Sequence, residues 1–184
     1  MGYKSSNIVV AGDSAGGCHG GSRGLSSAQK IDSILTAVVL THFILQSDQL
    51  SPRGVVTFAP TILQAYDHLS KRAKANADTD ILTVPMVKGL SSAYVGDTGV
   101  ASTDPLVSAA FLPFTASWPK MLILVGTGDL TIDASHELEK RLAALNLPVE
   151  LVEYDERPHA WWSFAHIFPE DIQDAAARVA RFME

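Results

Sequence analysis

Asn7-Ile-Val-Val-Ala-Gly-Asp-Ser-Ala-Gly-Gly17 is the stretch that decides the fold. Ile8 to Ala11 are consecutive apolar residues, the pattern of a short buried strand, and Gly12-Asp13-Ser14-Ala15-Gly16 then sets a serine at the centre of a G-x-S-x-G turn. The glycines have a physical cause. A serine on a tight strand-to-helix turn needs small residues two places before and after it, because the backbone doubles back closely enough for a Cβ to clash. Such a turn lifts the Ser14 hydroxyl above the sheet and aims the Ala15 amide at the oxygen of a carbonyl under attack. Gly12, Asp13, Gly16 and Gly17 therefore read as the frame of a nucleophile elbow, with Ala15 as an oxyanion donor.

Three more strands follow along the chain. Gly54-Val-Val-Thr-Phe-Ala-Pro60 is entered through Ser51-Pro52-Arg53, Lys120-Met-Leu-Ile-Leu-Val-Gly126 is continuously apolar after its first residue, and Pro148 turns the chain into Val149-Glu-Leu-Val-Glu-Tyr154. Helical text lies between and after them, from about Ile31 to Leu45, from Val84 to Tyr94 with Thr83 as N-cap, from Ile132 to Leu145 and from Asp171 to Met183. The spacing predicts an α/β fold with a mostly parallel sheet and flanking helices. Asn76-Ala-Asp-Thr-Asp80 reads as a loop, and Cys18 to Ser27, with three glycines and three serines, is poor helix text.

Composition sets the bounds. A chain of 184 residues with 47% hydrophobic content fits one domain with one core. The net charge of -6, with Lys and Arg scattered, offers no basic face for a phosphate backbone, so nucleic acid is not an expected partner. Cys18 is the only cysteine, which leaves no internal disulfide and no multi-cysteine metal site, and it reads as a small buried residue. No metal and no cofactor is expected. Met1 to Ser6 holds no apolar signal segment, so a cytoplasmic location is the default; Gly2 and Ser6 match an N-myristoylation pattern, which we set aside. The run from Ile34 to Leu45 is too short to span a bilayer and reads as a core helix.

A serine needs a base within hydrogen-bond reach and a carboxylate to orient that base. Asp129 and His159 each follow a strand's carboxyl end, the edge on which open parallel sheets place ligands and catalytic groups, and the edge that carries Ser14. Among the six histidines, His42, His68, His136 and His166 fall in or beside helices and His19 in the glycine-rich stretch. Asp133 is the competing acid, but it falls in the first turn of a helix, where its charge favours the dipole.

Gly12-Asp13-Ser14-Ala15-Gly16-Gly17 resembles the nucleophile motif of the hormone-sensitive-lipase-like branch of the α/β-hydrolases, a branch of carboxylesterases and lipases. The resemblance continues through Asp104-Pro-Leu-Val-Ser108 to the Pro158-His159 pair, and the order Ser, Asp, His is that of the α/β-hydrolases. It implies Ser14 as nucleophile, His159 as base and Asp129 as its orienter, acting on a small ester through an acyl-enzyme. Asp129-Leu-Thr-Ile-Asp133 departs from the family pattern at its proline position. In the family the elbow helix runs on directly, so residues 19–33 read as an insertion, and His19-Gly20-Gly21 lies on the wrong side of the nucleophile to be the family's oxyanion segment. Residues 61–99 occupy the place of part of a helical lid. The resemblance further implies that the chain is the C-terminal part of the domain, lacking the N-terminal strands and the second oxyanion donor, with Ile8 to Ala11 as an exposed, aggregation-prone edge. An amidase or formamidase, a non-catalytic ligand-binding relative and an inactive truncated product would share these residues.

Overall fold

A computed structural model describes residue 4 and residues 7–14, 37–46, 52–63, 69–96, 99–105 and 107–184. Four strands, β1 (Val9–Asp13), β2 (Gly54–Phe58), β3 (Lys120–Gly126) and β4 (Val149–Tyr154), form one sheet in the order of the sequence. Every pair is parallel. Val9 lies opposite Gly54, Gly54 opposite Lys120 and Met121 opposite Val149. Strands β3 and β4 span the residues their apolar patterns predict, whereas β1 begins one residue later than Ile8, which is 40% exposed, and runs on to Asp13.

Alternation along the strands divides the core in two, because successive side chains point to opposite faces. Val10, Val55, Met121 and Ile123 face helices α1 (Ala37–Gln46) and α4 (Ile132–Ala144), which contribute Val38, Leu138 and Leu142. Val56, Leu122 and Leu124 face the other way, against Tyr154, Trp161 and helix α5 (Pro169–Met183), which adds Ala175 and Phe182. Every side chain of β3 from Met121 to Val125 is thus buried, on one face or the other, which is why that strand is continuously apolar. Gly54 is fixed by this packing: a Cβ there would stand 2.6 Å from the Phe182 ring. Helix α5 begins two residues before the expected Asp171, since Pro169 is tolerated in the first turn, where its missing N–H is not needed.

Between β2 and β3 the chain makes α2 (Lys71–Ala75), a 3-10 turn over Asn76–Asp78 and α3 (Val84–Val95). The expected loop at Asn76 to Asp80 is therefore partly a helical turn continuing α2. Ser70 caps α2 by accepting from the Ala73 amide, and Thr83 caps α3 by accepting from the Met86 amide, as its sequence position predicts. The insertion expected at 19–33, and Cys18 within the glycine-rich stretch, lie outside the described residues.

Candidate active site

At the end of β1 the backbone turns sharply. Ser14 has φ 46°, a left-handed conformation that costs a residue with a Cβ roughly 1–2 kcal/mol. Neighbouring backbone holds it there: its amide donates to the Phe58 carbonyl at 2.9 Å, continuing the ladder one step past the strand, and its own carbonyl accepts from the Thr61 amide at 3.2 Å. Gly12, which pairs with Thr57, leaves room for α1, since a Cβ would lie 3.2 Å from Ala37 Cβ. Asp13 is exposed at the strand end. Ala15, Gly16 and Gly17 lie outside the described residues.

The two remaining candidates stand on the exits of β3 and β4, which stay joined beyond the strands. The Thr127 amide donates to the Tyr154 carbonyl at 2.8 Å and the Gly128 amide to the Arg157 carbonyl at 3.0 Å. Gly126 makes this crossing possible, because a Cβ there would come 1.9 Å from the Arg157 carbonyl oxygen. The Thr127 hydroxyl accepts from the Glu156 amide at 2.7 Å and fixes the start of the histidine loop.

Asp129 is fully buried, so its carboxylate has to be satisfied by protein groups. Its Oδ1 accepts from the Thr131 amide at 2.6 Å and the Thr131 hydroxyl at 2.8 Å, and its Oδ2 accepts from His159 Nδ1 at 2.9 Å. A carboxylate only accepts, so the proton of the neutral imidazole sits on Nδ1 and Nε2 is left with its lone pair. Ser14 Oγ lies 2.7 Å from Nε2 and donates to it. Three residues far apart in the chain thus form one line of hydrogen bonds.

His159 is 4% exposed. Burial is the largest single influence on its charge and opposes the imidazolium, but the hydrogen bond and charge of Asp129, with the charges of Asp80 and Asp13, outweigh it and raise its pKa above the usual 6.5. Behind the ring, Trp162 stands edge-on at 6.1 Å and also packs on Phe58 at 5.4 Å, while Trp161 is buried against Tyr154.

The competing residues are placed elsewhere. His42 faces Gln46 on α1, His136 lies on α4 between Arg72 and Glu153, and His166 is exposed. His19 and His68 lie outside the described residues. Asp133 accepts from the Ser70 amide at 2.8 Å and the Ser70 hydroxyl at 2.6 Å, so beyond its favourable place at a helix start it anchors α2. Four residues around the site have no signal of their own in the sequence: Thr131, Gly126, Asn76 and Asp80. Asn76 Nδ2 donates to the carbonyls of Thr127 at 2.8 Å and Asp129 at 2.9 Å, and Asp80 accepts from the Leu130 amide at 2.5 Å and the His159 amide at 2.8 Å. Among the described residues, no group of three or more His, Cys, Asp or Glu side chains could hold a metal ion, and no helix is long and apolar enough to cross a membrane.

A parallel sheet with helices on both faces, and a serine on a left-handed turn at the carboxyl end of a strand, defines an α/β-hydrolase architecture. The chain belongs to the alpha/beta hydrolase fold family, whose sequence profile matches residues 1–163. Among solved structures it is similar to an esterase from the bacterial hormone-sensitive lipase family, at 26% identity and a TM-score of 0.76, over 99% of this chain and 54% of that one. A double mutant of the esterase E40 gives the same identity, TM-score and coverage, and EstE5 soaked with p-nitrophenyl butyrate matches at 23% identity and a TM-score of 0.74, again over 99% and 54%. The hormone-sensitive-lipase-like resemblance read from the motif therefore holds. The chain spans about half the length of these structures. A comparison with curated proteins returns no match.

Proposed function

We propose that this chain carries the catalytic half of a carboxylic-ester hydrolase. The observation that carries the reading is the 2.7 Å contact between Ser14 Oγ and His159 Nε2 on a ring whose Nδ1 is held by Asp129. In this reading Ser14 attacks the ester carbonyl while His159 takes its proton, then returns it to the leaving alcohol; water repeats the sequence on the acyl-enzyme. The Asp129 carboxylate keeps the ring in the correct tautomer and stabilises the imidazolium. The Ala15 amide, directly after the nucleophile, supplies one oxyanion donor. Two esterases at 26% identity support an ester as the substrate class.

Residues 61–99 are proposed to cover the acyl side of the pocket. Ile81, Met86 and Leu90, all at least half exposed, give that segment an apolar face suited to an acyl chain. Residues 19–33 are proposed as an insertion behind the elbow, and the cytoplasm as the location. A fluorophosphonate probe and p-nitrophenyl butyrate test the assignment. Ser14 should be the labelled residue and turnover should vanish in Ser14→Ala; labelling that persists in that variant overturns it.

A further inference from the structure

Asp80 is nowhere near Ser14 in sequence, hydrogen-bonds to no side chain of the Ser14–His159–Asp129 line, and lies in a segment that otherwise connects β2 to β3. Its carboxylate nevertheless touches both loops on which the line depends. Oδ2 accepts from the amide of Leu130, directly after Asp129, and Oδ1 accepts from the amide of His159 itself. Neither amide belongs to a helix or strand, so without Asp80 both donors would need another acceptor in a part-buried place.

The segment bringing Asp80 there is anchored at several points. Ser70 is held by Asp133, Arg72 pairs with Glu153 at 2.6 Å, and Asn76 binds the Thr127 and Asp129 carbonyls. Asn76 thus takes carbonyls of the acid loop, and Asp80 takes an amide from each loop. Of the four contacts from this stretch, the two of Asp80 span the two loops and the two of Asn76 hold the acid loop beside them.

We propose that Asp80 is a positioning residue that sets the His159 ring against Asp129 and Ser14 by tying the acid loop to the histidine loop through two backbone amides. The proposal rests on the reading of His159 as the base. The ionised groups facing the ring are Asp129, Asp80 and Asp13, and all three favour its protonated form. Burial raises the Asp80 pKa, the two amides oppose that rise, and the Asp129 charge adds to it.

Two measurements test the link. In the unsubstituted 184-residue chain, the Leu130 and His159 amide proton resonances should move together on acidification, with one midpoint above the usual 3.8 of a carboxylate. In Asp80→Asn, which keeps the shape and removes the charge and one acceptor, the His159 imidazole midpoint should move to lower pH. The acid limb of kcat/KM should move with it, and kcat for p-nitrophenyl butyrate should fall about ten- to a hundredfold at unchanged KM. Asp80→Glu should recover the imidazole midpoint. Amides that titrate independently, or a folded Asp80→Asn chain with an unmoved imidazole midpoint or an unchanged kcat, overturn the proposal. The titrations need no turnover, so a chain that cleaves no ester yet shows the linked midpoints refutes the ester-hydrolase reading and leaves the Asp80 tie standing.

Discussion

The serine turn and the histidine loop are held in place by different means. Ser14 is fixed by its own strand and the next one, in a left-handed φ held by two backbone hydrogen bonds at the exits of β1 and β2. His159 is fixed from a distance, by the Asp80 carboxylate at its amide, by Asp129 at its ring and by a crossing that only a glycine at position 126 allows. One end of the hydrogen-bonded line depends on backbone bonds that extend the sheet ladder, the other on long-range side-chain contacts. The serine's turn can therefore be recognised in eleven residues, whereas the placement of the histidine is spread over about eighty residues and several elements.

Substitutions separate the two ends. Ser14→Ala and His159→Ala should each reduce p-nitrophenyl butyrate turnover by about 10⁴-fold or more with the fold intact, because the two act as a unit. Turnover that survives His159→Ala and falls in His166→Ala would move the base to another loop. Gly126→Ala comes next. Its methyl group would meet the Arg157 carbonyl, so the histidine loop has to shift, and we expect about a hundredfold loss in kcat together with a lower Tm. The elbow should be spared, so fluorophosphonate labelling of Ser14 should slow but not move to another residue.

The pH profile reports the histidine end alone. In the proposed reaction His159 accepts the serine proton and so must be neutral, and its pKa is raised, so the acid limb of kcat/KM should have its midpoint above pH 6.5 and fall tenfold per unit below it. A midpoint below 6.5 would mean that burial outweighs the surrounding carboxylates. Smaller effects follow. Asn76→Ala removes two donors from the acid loop and should cost about 1–3 kcal/mol of stability with a modest fall in kcat. Thr83→Ala removes only the α3 cap, and should cost about 1 kcal/mol with kcat unchanged. Equal effects on kcat from these two would erase the distinction between a tie to the site and an ordinary helix cap.

The sheet was legible because its evidence is local. The apolar run from Met121 to Val125 can only be a strand covered on both faces, and it is. The positions of Asp129 and His159 on the exits of β3 and β4 were legible in the same way, from the strand pattern together with the family resemblance. Asp80 and Asn76 were not legible. In sequence they belong to a polar stretch, Asn76 to Asp80, with the composition of any solvated loop, and only the fold turns its carboxylate and amide inward. Asp133 was half legible: the helix start was right, but its contact with Ser70 spans sixty-three positions that no local pattern records. Ile8 was misplaced for a related reason, since an apolar residue at the end of a run gives no sign that its partner strand begins opposite Val9.

Helix α3 has a consequence of a different kind. Val87 is the one residue along it that is buried, so little apolar contact resists its local unfolding, whereas α2, just before it, is pinned by Asp133, Glu153 and the acid loop. A protease acting on the folded chain should therefore cleave after Lys88 before it cleaves after Lys71 or Lys74, although those two lysines are also exposed. The nicked molecule should keep both pieces together, because β2 on one side of the cut remains paired with β3 on the other. Stability should thus differ between successive helices of one connection, so that α3 can open locally while α2 keeps its ties to Asp133 and Glu153.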